Sequence, residues 1–344
     1  MNLIHVFCID SSEVTTLKEN HAISHVWPVI GMLILILDGK TAVSGAKQAI
    51  ELCIKTVVPS LFPFIFLSGF LNSGSIGSSS KFIAAINKLC SIPRGAESVL
   101  VTGILGGYPV GARSVGVLFK EGKLHPRDAA HLLSFCSNAG PAFLFGMVSG
   151  LFDKPYTAFL LWGIHIFSAI LVSMLHPSGP CQSVDSEATG NSATFSDAMK
   201  TSITVMATVC GWVILFRIVL VFLNRWILWA LPDVLSVILT GLLELTNGCC
   251  ELSTIDDPGL RFVLCSGFLA FGGVCVAMQT ASVIPGLPLR HYLAGKLLQT
   301  VFSLLLSASV VLDIGLSVFL LLTFFSLLPG KIQKRSGNPK SVGV

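Results

Sequence analysis

The sequence predicts an all-α polytopic membrane protein, and three observations predict it. Hydrophobic residues make up 53% of the 344 residues and charged residues 12%, where a soluble domain carries about 25% charged residues. Residues 262–289 hold no charged side chain, and neither do residues 156–175 with His165 neutral; residues 203–223 hold one, Arg217. A helix needs about 20 apolar residues to cross a hydrocarbon core about 30 Å thick, and several runs here meet that length. The net charge of +4 gives no reason to invoke nucleic acid, since no basic stripe with interleaved aromatics occurs.

From the start of the chain, residues 1–21 are polar and lack the basic start, apolar core and cleavage site of a secretory signal. Ala22–Leu37 is apolar but short, a marginal span. Residues 41–55 place Ala42, Val43, Ala46, Ala49, Ile50, Cys53 and Ile54 on one helical stripe, with Lys47, Gln48, Glu51 and Lys55 off it. That pattern predicts an amphipathic helix in the membrane interface or against neighbouring helices. Residues 56–72 predict a span interrupted by Pro59 and Pro63, ended by the Gly/Ser-rich stretch 73–80, and residues 81–90 a second short amphipathic piece. Residues 95–115 are apolar but broken by GGYPVG, and residues 129–152 by SNAGP. Residues 156–175 predict an uninterrupted span, and the polar loop 176–193 a link between halves.

The second half opens with 194–202, a span at 203–223 and another at 226–243. Residues 244–259 are polar and irregular. The run 262–289 is broken by Gly272–Gly273 and by Pro285 and Pro288. Spans at 292–312 and 314–329, divided by Asp313, bring the expected count to about 8. The domains are then a polar segment (1–21), a first membrane repeat (22–175), a linker (176–193), a second membrane repeat (194–329) and a basic tail (330–344). Lys331, Lys334, Arg335 and Lys340 favour a cytoplasmic tail.

The halves align. TVVPSLFPFIFLSGFL (56–71) lies over TVCGWVILFRIVLVFL (208–223), GILGGYPVG (103–111) over GLLELTNGC (241–249), and SFCSNAGPAF (134–143) over GFLAFGGVCV (267–276). Secondary transporters are commonly built from such repeats, and matched Gly/Pro-interrupted segments are the best sequence pointer to their solute site. The reason is hydrogen bonding: in hydrocarbon an exposed N–H or C=O costs several kcal/mol, so irregular backbone survives at depth only when buried in protein or lining water. Gly106, Gly107, Pro109 and Gly111 oppose a continuous helix, and the freed groups need partners. Half-helix N-termini would favour an anion.

PSLFPFIFL (59–67), GYPVGAR (107–113), SFCSNAGPAFLFG (134–146) and LLELTNG (242–248) resemble the sporulation integral membrane proteins of the YlbJ type, within the nucleoside-recognition Gate family. The resemblance runs from about residue 40 to 325. It implies kinship with concentrative nucleoside transporters, two re-entrant helical hairpins and a solute site between them. It also implies a role in spore formation in an endospore-forming bacterium, moving a small metabolite such as dipicolinate. The expected location is the cell membrane, multi-pass, with the forespore outer membrane as its specific form.

The substrate-binding candidates are the interrupted segments themselves: Gly106, Gly107, Tyr108, Pro109 and Gly111; Asn138, Gly140 and Pro141; Glu244, Thr246, Asn247 and Gly248. A carboxylate at mid-membrane faces a cavity or a partner, so Glu244 is a solute or coupling-ion ligand, or else a helix-end carboxylate reaching interfacial water. The Gly106–Gly111 tip contacts solute, or packs helices closely through small residues. It is not a phosphate loop, because Ala112–Arg113 stand where Lys–Ser/Thr would be needed. Tyr108 stacks on an aromatic solute or sits in the interface. Asn138 bonds solute or the broken backbone. Arg217 pairs with Glu244, serves as counter-charge for an anion, or snorkels.

Ten cysteines without a C-x-x-C pair read as small packing residues, with adjacent Cys249–Cys250 the pair to watch. His125, His131 and His165 have no ligand spacing, so no metal or cofactor is expected, and isolated polar residues argue against an enzyme. The expected partners are a small solute and the lipid bilayer; the pattern allows a coupling ion and a homo-oligomer. A non-transporting assembly factor for the spore or envelope is the competing function.

Overall fold

The computed structural model describes residues 21–71, 81–93, 95–175, 194–313 and 315. The expected 73–80 stretch, the linker 176–193, the span at 314–329 and the basic tail lie outside the described residues but for Gly315. Among the described residues every regular element is helical. In the first half these are α1 (His21–Leu37), α2 (Gly39–Leu52), α3 (Val58–Leu71), α4 (Lys81–Cys90), α5 (Glu97–Leu105), α6 (Val110–Lys120), α7 (Pro126–Phe135), α8 (Pro141–Gly146) and α9 (Tyr156–Leu175). In the second half they are α10 (Phe195–Trp226), α11 (Asp233–Leu243), α12 (Leu245–Glu251), α13 (Pro258–Phe271), α14 (Gly273–Val283) and α15 (Arg290–Val311).

Among the described residues, five helices are long and apolar enough to cross a membrane: Gly39–Phe70, Tyr156–Leu175, Phe195–Trp226, Pro258–Val283 and Arg290–Val311. Pro28–Leu37 and Asp233–Leu243 are shorter apolar helices. Of the other expected spans, Ala22–Leu37 and 226–243 fall on these shorter helices, and 314–329 lies outside the described residues but for Gly315.

The stretch 41–55 differs most from its sequence reading. It is no separate interfacial piece: one π-helical turn, Cys53–Val57, joins α2 to α3 in a continuous 32-residue helix. Its inward face is made of the small residues Gly45, Ala49 and Cys53, while Val43, Ile50 and Ile54 are 55%, 46% and 65% exposed. A Cβ on Gly45 would stand 3.3 Å from the Ile218 Cα of α10. In lipid the outside is as apolar as the inside, so close backbone approach through small residues drives helix pairing. The stripe is therefore split: its small residues Ala49 and Cys53 face the protein, and its larger ones, Val43, Ile50 and Ile54, face outward.

Each helix start has a local cause. Thr194 Oγ1 accepts from Asp197 N–H at the head of α10, and Asp257 Oδ1 accepts from Gly259 N–H at the head of α13. Pro126, Pro141 and Pro258 occupy first-turn positions, where the missing N–H costs nothing. Between helices, α15 packs on α13, α7 and α9, and α10 packs along α2 and α3. Gly295 brings α15 onto the Ser134 backbone of α7, and Ser266 and Ser303 hydroxyls bond at 2.7 Å between α13 and α15.

Gly272 ends α13 with φ +80, and Gly273 follows with φ +83. A left-handed residue with a Cβ costs about 1–2 kcal/mol. Gly272→Ala is therefore expected to lower stability by about that amount in detergent melts. Gly163→Ala, with nothing within 4 Å of the added carbon, is expected to be neutral or to gain about 0.5–1 kcal/mol.

Candidate functional site

Two antiparallel helix pairs bring short turns towards the centre. In the first, α5 and α6 are joined by Gly106–Pro109. Gly107 has φ +76 and the Tyr108–Pro109 peptide is cis. Gly111 faces Gly103 so closely that a Cβ would lie 2.7 Å from the Gly103 Cα and collide with the Cys136 carbonyl. In the second, α11 and α12 are joined at Glu244, and Gly248 faces Gly241 with the same backbone-to-backbone closeness. Glycine at each crossing is required by space.

Between α7 and α8 the chain is non-helical through Ser137–Gly140. A Cβ on Gly140 would stand 3.0 Å from the Gly107 Cα, so the first turn and this break touch backbone to backbone. A hollow of about 50 Å³ opens beside them, lined by Tyr108, by Ala139 and Gly140 of the break, by Phe143 of α8, and by Glu244, Leu245 and Thr246 of the second turn. Val57, Ser60 and Leu61 of the first long helix, Val209 and Val213 of α10, and Val276 and Gln279 of α14 close it.

The residues singled out from sequence fall into three groups. Tyr108, Gly140, Glu244 and Thr246 line the hollow together. Gly106, Gly107, Pro109, Gly111, Pro141 and Gly248 shape the turns and crossings around it. Asn138 and Asn247 stand behind it in hydrogen-bond networks. Asn138 Nδ2 donates to Phe135 O at 2.8 Å, and its Oδ1 accepts from Gln299 Nε2 at 3.0 Å. Its partners are thus the local backbone and α15.

Glu244 is 1% exposed. Its carboxylate accepts from the backbone N–H groups of Thr246 (3.0 Å) and Asn247 (2.7 Å) and from Asn247 Nδ2 (2.5 Å). It therefore caps the short α12 while facing the hollow. Arg217 does not touch Glu244 directly; it spans from buried Asn247 to exposed Gln48. It donates from Nη1 to Asn247 Oδ1 at 2.6 Å and from Nη2 to Gln48 Oε1 at 2.7 Å. Asn247 thus bridges the two charges. Arg217 also lines a polar cleft of about 510 Å³ beside the second helix pair, with Asp233, Ser236, Thr240 and Glu251. Asn247 links Arg217 of this cleft to Glu244 of the central hollow.

Sequence reasoning missed Lys296 and Gln299. Both are 0% exposed. Lys296 Nζ donates to Gln299 Oε1 at 2.7 Å, lies 3.5 Å from the Tyr108 hydroxyl, and sits 5.0 Å from the Tyr108 ring centre and 6.0 Å from that of Tyr292. Tyr108 donates its hydroxyl proton to Leu269 O at 2.6 Å. Gln299 Nε2 reaches His165 O at 3.1 Å, and His165 Nε2 accepts from Ala139 N–H at 2.9 Å. The signal that could have found Lys296 is a single charge inside an apolar helix with a glutamine one turn on.

Among the described residues no group of three His, Cys, Asp or Glu side chains could hold a metal ion. The eight described cysteines are free thiols; of the adjacent pair, Cys249 is buried and Cys250 exposed.

The chain is 24% identical over 324 residues to the sporulation integral membrane protein YlbJ of Bacillus subtilis (strain 168), covering 78% of this chain and 77% of the relative. No family model matches the chain, and no solved structure does. The likeness to YlbJ extends over most of both chains and, with the apolar helices, supports a YlbJ-type integral membrane protein.

Proposed function

We propose that this YlbJ-type membrane protein is a gradient-driven secondary transporter for a small polar or anionic metabolite, such as dipicolinate or a nucleoside-like solute, acting in sporulation from the cell membrane or the forespore outer membrane. One observation carries the reading. Two helix-pair turns, one helix break and two 32-residue helices, contributed by both halves of the chain, converge on a single hollow. A sporulation role fits the relative.

The same geometry supports a pair of structural repeats. Each half runs long helix, tight helix pair, broken helix, final helix. The Gly103–Gly111 crossing corresponds to Gly241–Gly248, and the break at Ala139–Gly140 falls where Gly272–Gly273 stands in the sequence alignment. Solute sites at such repeat interfaces are what secondary transporters use. Pockets that enclose a small ligand measure about 300–1,000 Å³, so a hollow of about 50 Å³ is a closed conformation whose turns part to admit one. With no nucleotide-binding motif in the sequence, the drive is an ion or solute gradient, and Glu244 is the candidate coupling group. The chain is proposed not to be an enzyme.

The test is uptake of dipicolinate and of uridine into proteoliposomes holding the purified full chain. Flux of one of them is expected in wild type. Glu244→Gln is expected to cut it by roughly tenfold, about 1.4 kcal/mol, with protein levels unchanged. Wild-type vesicles that carry neither, while Tyr108 and Glu244 variants still support spores, would favour the assembly-factor reading.

A further inference from the structure

We infer that Lys296 is the cationic partner of a carboxylate on the solute, so that this site takes carboxylic acids in preference to neutral solutes of the same shape. The inference rests on the solute-site reading above and deepens it. Its ground is a buried lysine with no carboxylate partner among the described residues.

Three ionisable groups bear on this region: Glu244 lines the hollow, Arg217 connects to it through Asn247, and Lys296 lies against Tyr108. Glu244 is bonded to three donors, and Arg217 is bonded to Asn247 and Gln48. Those two offset each other through Asn247. Lys296 has no carboxylate within ion-pair distance among the described residues; its contacts are one amide oxygen, one hydroxyl and two ring faces. A buried charge is ordinarily paired or coordinated, and an ionisable residue inside a membrane segment points to function with an identifiable partner. Among the described residues there is no such partner.

Position names where the partner would come from. Tyr108 lines the hollow, and Lys296 lies against the ring and hydroxyl of that same tyrosine without itself lining the hollow. Tyr108 sits on the turn between α5 and α6, whose backbone meets Gly140 across the hollow's edge. Parting of that turn from the break uncovers Lys296 to whatever occupies the hollow. Two more polar atoms of the same region, Ser137 Oγ and His165 Nδ1, have no hydrogen-bond partner among the described residues, and both belong to residues at most 1% exposed. The lysine is held in place from behind, since Gly295 seats α15 on the Ser134 backbone and Gln299 ties it to Asn138.

The test compares acid and amide. Full-length protein in detergent is titrated with dipicolinate and benzoate, and with dipicolinamide and benzamide, which keep the ring and lose the charge. Wild type is expected to bind at least one acid roughly tenfold more tightly than its amide. Lys296→Met is expected to weaken the acid and leave the amide, bringing the ratio close to one, whereas Lys296→Arg keeps a preference for the acid. Loss of folding would weaken both ligands alike, and the Arg variant guards against it. Wild type that binds neither acid, or binds acid and amide equally, overturns the inference, as does a Met variant with the preference intact. Acid binding without flux removes the transport reading and leaves this one; flux of the amide without preference for the acid does the reverse.

Discussion

Gly111→Val is expected to leave little folded protein. The added carbon would fall on the Cys136 carbonyl and within 2.7 Å of the Gly103 Cα. Both neighbours are backbone, one in the break that follows α7 and one in α5, so neither can swing aside as a side chain would. Overpacking of an ordinary core costs about 1–3 kcal/mol and sometimes more; with rigid atoms on both sides the cost here belongs at or above the upper end, about 3 kcal/mol. Gly111→Ala is expected to show most of that loss, because the first carbon already collides. Gly146→Ala, with nothing within 4 Å, is the matched control and should stay within about 0.5 kcal/mol of wild type. Thermal melts in detergent read both. A Gly111→Val protein that melts with wild type would mean that α6 does not cross Cys136 at backbone distance, and the placement of Tyr108 beside Gly140 would go with it.

That crossing also shows what the sequence made legible. Glycine and proline act locally: GGYPVG, SNAGP, the turn before TNG and FGG each coincide with a helix end, at Leu105, Phe135, Leu243 and Phe271. Three of these breaks were readable because no partner elsewhere in the chain is needed to stop a helix at Gly or Pro; the fourth falls at Glu244, whose carboxylate caps α12, while Gly248 lies within that helix. Arrangement between helices was less readable. The stripe at 41–55 has the right period, but which side faces protein depends on α10 and on lipid being as apolar as a core. Arg217 was weighed against Glu244, 27 positions away; the intermediary, Asn247, is visible only once α12 folds back and offers its side chain to both. Lys296 was hidden by averaging, since one charge hardly lowers the hydropathy of a 22-residue helix. Its meaning comes from Tyr108, 188 positions earlier.

Asn247→Leu is the second substitution expected to act strongly. Asn247 is 4% exposed and its one amide serves two charges: the oxygen accepts from Arg217, and the nitrogen donates to Glu244. Leucine has similar bulk and can do neither. Glu244 would keep its two backbone donors and Arg217 its bonds to Gln48, so neither group is stripped completely. A hydrogen bond to a charged group contributes about 1.5–3 kcal/mol, and losing one at each end predicts destabilisation of about 3 kcal/mol. A double-mutant cycle with Arg217→Met isolates the bridge. Once Asn247 is leucine, the arginine has less left to lose, so the pair should cost less than the sum by about 1 kcal/mol or more. Simple additivity would mean that Arg217 and Asn247 do not act together. The same bridge links Arg217 of the polar cleft to Glu244 of the central hollow, so Asn247→Leu also tests whether that link matters to passage. If solute crosses there, flux per folded molecule changes in Asn247→Leu. If the cleft is only a solvated surface, flux falls in proportion to the folded protein that remains.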